Sequence, residues 1–163
     1  MIDIHPHPLD WLHFQNTFSY VRATSGFKTD STENLPNIPA ARWLSEVQAN
    51  FKDAGKVIKN LYLKVGIDAT FDQDNVFSAY QTETPTPGYT LLNAGFGGNV
   101  VNSKKQTLFG LYFSANNITD VAYQNHLSRL KYAPENLVTG RNGVFNIGRN
   151  FSMKLNVPLS LKL

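Results

Sequence analysis

The strongest constraint on this chain lies near its end, where two interleaved series separate between Val144 and Pro158. One reads Phe145, Ile147, Arg149, Phe151, Met153, Leu155, Val157; the other reads Val144, Asn146, Gly148, Asn150, Ser152, Lys154, Asn156. A period of two over that length describes a strand with one apolar and one polar face. Soluble strands usually run to about 5–6 residues, whereas a tilted strand crossing a bilayer needs about 9–11. The pattern recurs upstream. Leu61, Leu63, Val65, Ile67, Ala69 and Phe71 oppose Tyr62, Lys64, Gly66, Asp68, Thr70 and Asp72. Leu92, Ala94 and Phe96 oppose Asn93, Gly95 and Gly97, and Phe109, Leu111, Phe113 and Ala115 oppose Gly110, Tyr112, Ser114 and Asn116. A face carrying Lys64, Asp68 and Asp72 suits a wet lumen and would spoil the core of a soluble sandwich. Noisier alternation covers Leu12–Tyr20 and Trp43–Phe51, where Leu44 falls on the polar side.

The expected fold is therefore all-β: an antiparallel meander of about six long strands forming a segment of a transmembrane β-barrel. The strands are expected near 10–23, 39–51, 57–72, 87–101, 106–117 and 144–159. Their connections alternate in length. Lys52–Lys56 and Asn102–Lys105 are short polar turns, while 24–38, 73–86 and 118–143 are long and polar. Short turns on one side and long loops on the other mark outer-membrane barrels, with the long side outside the cell. Aromatic residues are expected at both rims, Trp11 and Phe51 at the short-turn end and Phe18, Tyr20, Phe71, Tyr89 and Phe145 at the other.

Composition agrees with this class. Apolar residues make up 42% and charged residues 17%, too apolar for a disordered chain and light in charge for a helical one. There is no cysteine, which excludes disulfides and thiolate metal sites. The net charge of +3 is scattered, and Ser103-Lys104-Lys105 reads as a solvated turn, so nucleic acid is not an expected partner. No run approaches ~18 uninterrupted apolar residues, and barrel strands escape such a test because only alternate residues meet lipid. The opening residues Met1–Pro8 do not read as a signal peptide, so a fragment or a start inside a larger precursor is expected.

Three passages resemble the C-terminal end of TonB-dependent receptors, the outer-membrane transporters of Gram-negative bacteria. They are Leu35-Pro36-Asn37-Ile38-Pro39 with Arg42-Trp43, then Asn116-Asn117-Ile118-Thr119-Asp120-Val121-Ala122-Tyr123, and the closing strand Gly148–Pro158. The resemblance covers essentially the whole chain, residues 1–163, as one barrel segment. It implies an outer-membrane location and a role in nutrient uptake, most simply of an iron chelate or siderophore. The implied partners are the plug and remaining strands of the same receptor, outer-membrane lipid, a small-molecule substrate, and TonB indirectly through the plug. None of the family's plug is recognisable here, and the chain ends Leu159-Ser160-Leu161-Lys162-Leu163 where family members commonly end on an aromatic residue.

Catalysis has no positive sign in the sequence, and no enzyme activity or cofactor is expected. No serine stands in a G-x-S-x-G context, and Gly95-Phe96-Gly97-Gly98 lacks the Lys-Ser/Thr of a phosphate loop. His5-Pro6-His7-Pro8 with His13 lacks a carboxylate or thiolate to complete a metal set and is expected to be a periplasmic connection. Asp72-Gln73-Asp74-Asn75 with Glu83 imitates a calcium loop, but Val76 and Phe77 stand where a ligand and a glycine are required. Within 118–143, Tyr123, His126, Arg129 and Arg141 form a mixed aromatic and cationic set suited to an anionic ligand, though a solvated loop explains the same composition. The alternative function is a soluble, lipocalin-like barrel that binds an apolar ligand with its apolar faces turned inward.

Overall fold

The computed structural model describes residues 1–6 and 8–159, and the expected departure at the terminus, Ser160 to Leu163, lies outside them. The chain is all-β. Strands β1 (Ile2–Ile4), β2 (Leu12–Ser19), β5 (Arg42–Ala54), β6 (Ile58–Thr70), β7 (Tyr89–Val101), β8 (Thr107–Asn116) and β9 (Asn150–Asn156) form one antiparallel sheet in chain order. Strands β3 (Thr24–Thr29) and β4 (Thr32–Asn34) make a separate hairpin within the first long connection. The sheet is open among the described residues, with β1 and β9 at its edges.

The register carries the alternation across the whole sheet. Phe14, Val47, Val65, Ala94, Ala115 and Phe151 lie in one row, and Leu12, Ala49, Leu63, Phe96, Phe113 and Met153 lie in the next. Every residue in both rows is apolar. On the opposite face His13, Gln48, Lys64, Gly95, Ser114 and Ser152 share a row. Two diagonal ion pairs join β5 to β6 there. Arg42 grips Asp68 with two hydrogen bonds, Nε to Oδ1 at 2.8 Å and Nη2 to Oδ2 at 2.6 Å, and Lys64 Nζ donates to Glu46 at 3.0 Å. Diagonal cross-strand neighbours are within reach of long side chains, so such pairs lock the register.

Burial runs opposite to polarity. Leu63, Val65 and Ile67 are 48%, 54% and 40% exposed, whereas the side chain of Asp68 is only 13% exposed. Phe96, Phe151, Met153 and Leu155 are likewise exposed. Among the described residues no large side chain is fully buried. The total accessible surface is 11,633 Å², against roughly 8,000 Å² expected of a compact domain of this mass. The polar side chains crowd together on one face while the apolar ones splay outward on the other.

Small residues make that crowding possible. Tyr62 and Tyr112 stack at 6.3 Å over Gly97, and the Tyr112 hydroxyl donates to Asn99 at 3.1 Å. A Cβ at Gly97 would lie 2.4 Å from the Tyr112 ring and 3.0 Å from that of Tyr62.

The expected strands are present, with ends that differ for definable reasons. The closing strand runs from Asn150, not Val144, because its partner β8 ends at Asn116, which faces Asn150. Residues before it bond within the loop instead, Val144 N–H to Leu130 O and Asn146 N–H to Tyr123 O. Strand β2 likewise stops at Ser19, opposite the first residue of β5. Strand β5 continues to Ala54, through residues expected in a turn, because Asp53 faces Lys59 and forms an ion pair with it. Strand β1 adds an element just before the His5–Pro8 segment expected to be a connection, and Ile2 and Ile4 extend the apolar face beside Phe18 and Asn16. The β3–β4 hairpin turns through Asp30 and Ser31, both at positive φ, the geometry that matches strand twist in two-residue loops.

Replacing Gly97 with Ala should destabilise the sheet by about 1–3 kcal/mol, the usual range for overpacking. The loss should shrink when Tyr112→Ala is combined with it. Denaturant unfolding of the two single variants and the double variant measures both quantities.

Candidate functional site

The long connections, residues 20–41, 71–88 and 117–149, all lie at the same end of the sheet, as the meander requires. They are knitted to one another by side chains that bond backbone groups. Glu83 is the hub. One of its oxygens accepts from the Asn37 amide at 2.6 Å and the other from the Phe77 amide at 2.8 Å. Thr32 and Asn34 donate to the carbonyl of Val76, and Gln73 Nε2 donates to the carbonyls of Ile38 and Pro39. These bonds fasten the β3–β4 segment onto the second connection.

The third connection folds back over the polar face. Its first turn places Asn117 at φ 52 and Asp120 at φ 57. The Asn117 side chain closes a ring with Val121, accepting from its amide and donating to its carbonyl, both at 2.9 Å, while the Asn117 amide donates to Asn93. Asp120 then accepts from the Arg149 amide at 2.8 Å, which sets the entry to β9. That bond, with the Arg149 charge behind it, holds the Asp120 carboxyl below the usual range. The motif from Asn116 to Tyr123 thus joins two strands across a long loop.

Of the residues expected to bind a ligand, Tyr123 packs on Tyr89 with ring centroids 4.3 Å apart, over the polar face. His126 is buried. Its Nδ1 lies 2.8 Å from the Thr86 hydroxyl and 3.4 Å from Lys131 Nζ, and its Nε2 lies 3.9 Å from Glu83. Burial, then the Lys131 charge, push its pKa below the ordinary histidine value, with Glu83 opposing. Arg129 is exposed in a short 3₁₀ turn (Arg129–Tyr132), and Arg141 lies over the Phe145 ring at 5.1 Å. Tyr123 and His126 are thus embedded in the loop packing, whereas Arg129 and Arg141 stand at its surface.

Ser19, Arg42 and Thr70 from the sheet and Asn125, His126 and Leu127 from the third loop line a recess of about 300 Å³. Thr70 carries the one buried side-chain oxygen without a hydrogen-bond partner among the described residues. Along the β1 edge, where Asp3 faces Thr17, His5 pairs with Asp3 at 2.8 Å. Glu83 and Lys131 hold the loops together yet have no sequence signature, because their partners are backbone atoms and hydroxyls in other loops. No protein-family model matches the chain, and no curated protein sequence matches it either.

Glu83→Ala should release Asn37 and Phe77 together. A charge-assisted hydrogen bond contributes about 1.5–3 kcal/mol, so amide hydrogen exchange at both residues should accelerate while β6 and β7 keep their protection. Unchanged exchange at either amide would remove Glu83 from its bridging role.

Proposed function

We propose that the chain forms the C-terminal end of the barrel of a TonB-dependent outer-membrane receptor, and that its apolar rows face lipid while its polar face lines the lumen. The observation that carries this reading is the inverted burial along β6, where Leu63, Val65 and Ile67 are exposed and Asp68 is sheltered. A monomeric soluble domain rarely leaves so wide an apolar face open to water, whereas a barrel in a bilayer requires it.

The rims support the same reading. Trp11 stacks on Phe51 at 5.8 Å at the tight-turn end, and Phe18 meets Phe71 edge-on at 6.3 Å near Trp43 at the long-loop end. From Trp43 to Phe51 the outer face of β5 runs ~26 Å along the strand at ~3.3 Å per residue. Tilted by 35–45°, that spans about 20 Å, close to the ~25 Å apolar band of such barrels.

The rival reading, a soluble barrel with an apolar interior, would use the depression of about 640 Å³ on the apolar face. That depression is a trough left by Ala49, Ala94 and Ala115 between Val65, Phe96 and Phe113. It lies on the exposed face and spans five strands, so it encloses nothing.

In the intact receptor, strands from the rest of the polypeptide would pair with the open edges at β1 and β9, since such barrels need at least about 8 strands. The cargo is a scarce nutrient carried as a small anionic chelate, with the exposed Arg129 and Arg141 as first contacts. Neither charge couples energy, so their loss should raise the substrate Kd and leave uptake near normal at saturation.

Leu63→Arg and Phe113→Arg should each cost about 2–4 kcal/mol near the bilayer midplane, and Ser114→Arg on the opposite face much less. The measurement is the amount of folded protein in the washed outer-membrane fraction of cells expressing the intact receptor. Recovery of the unsubstituted protein in the soluble fraction would overturn the proposal, as would equal tolerance of Arg on both faces.

A further inference from the structure

The His126 cluster has an internal logic that ligand binding does not use. Lys131 Nζ can only donate, and it donates to the Thr86 hydroxyl at 2.7 Å and to the Thr84 carbonyl at 2.9 Å. The same ammonium stands 3.4 Å from His126 Nδ1. A proton on Nδ1 would face that charge directly, so Nδ1 is bare and accepts from the Thr86 hydroxyl. The chain of donors runs from Lys131 through Thr86 to His126. Tyr132 adds a further tie, its hydroxyl accepting from the Thr84 amide at 3.2 Å. Two ties to Thr84 join the second and third loops directly, and the third, through Thr86, turns on the imidazole acting as an acceptor.

We propose that the third long loop is an acid-released lid, latched to the second loop by neutral His126 and lifted from the recess beneath it when that imidazole takes up a proton. Protonation at Nδ1 replaces the acceptor with a donor. The Thr86 hydroxyl then loses its acceptor, and two cations stand side by side at Lys131 and His126. Glu83 is the facing carboxylate, but at 3.9 Å it is beyond hydrogen-bond length, and its oxygens already serve the Asn37 and Phe77 amides. Arg42, the other charge lining the recess, adds positive potential and is itself held by Asp68. Glu83 alone favours the imidazolium, and burial with the Lys131 charge outweighs it.

The sign follows from the same geometry. Burial and Lys131 lower the His126 pKa in the closed loop relative to its ordinary 6.5. The open loop therefore binds more protons between the two values, and closure weakens as pH falls below about 6.5. Release would uncover Ser19, Thr70 and Arg42, and the Thr70 hydroxyl would gain the partner it lacks. The inference rests on the loop geometry and holds whichever face of the sheet meets lipid.

Hydrogen exchange of residues 123–146 in the full chain, held in detergent micelles and corrected for intrinsic rates, tests the lid. Exchange should rise by on the order of tenfold between about pH 7 and pH 5, with β6 and β7 unchanged. His126→Asn, which keeps an acceptor near the Nδ1 position and cannot titrate, should flatten the profile. A flat profile in the unsubstituted chain would overturn the proposal. So would acid release that involves the strands equally, or one that persists in His126→Asn. Should His126→Asn open the loop at every pH, Lys131→Met decides: without that charge the closed-loop histidine returns toward its ordinary value, so the acid-driven rise must shrink, and an undiminished rise would refute the latch.

Discussion

Arg42 with Asp68 and Lys64 with Glu46 are the interactions on which the arrangement of this sheet depends. They tie β5 to β6 diagonally and fix which residues share a face. A slip of β6 by one residue would send Lys64 and Asp68 to the apolar face of the sheet. Once the charges are drawn together, the apolar rows have no side to take but the outer one. The tyrosine stack over Gly97 continues the same crowding onto β7 and β8.

That choice explains why the molecule lacks an ordinary core. The meander satisfies its backbone hydrogen bonds from strand to strand, but the apolar side chains of both central rows meet only neighbours on their own face, as Phe96 meets Phe113, and no second layer covers them among the described residues. In water this would be a large liability. In hydrocarbon it would be the required arrangement, because lipid would supply the apolar contacts and closed strand pairing the rest. The loop cap completes the picture at one end, where polar side chains bond backbone groups in regions with no ladder of their own.

The sequence made the sheet legible and much of the loop region illegible, for physical reasons. Period-two alternation survives in β6 and β7 because each pairs on both sides, β6 along nearly its whole length and β7 from Ala94 to Val101. Strand ends are set by the partner's length, which is why Val144 alternates like a strand yet bonds to Leu130 within the loop. Ile2–Ile4 is too short for any periodicity test. His126 could be singled out by residue type, but its burial against Thr86 and Lys131 depends on contacts 40 and 5 residues away. Glu83 looked like part of a failed calcium loop, and its actual work is done on the amides of Asn37 and Phe77.

The central claim is that the apolar face of this sheet is its lipid face. Spin labels placed singly from Leu61 to Asp68 in the protein reconstituted in bilayers test it most directly, by comparing collisions with oxygen and with a water-soluble nickel chelate. Leu61, Leu63, Val65 and Ile67 should favour oxygen, and Tyr62, Lys64, Gly66 and Asp68 should favour the chelate, alternating residue by residue. The opposite phase, or no alternation, would contradict the account.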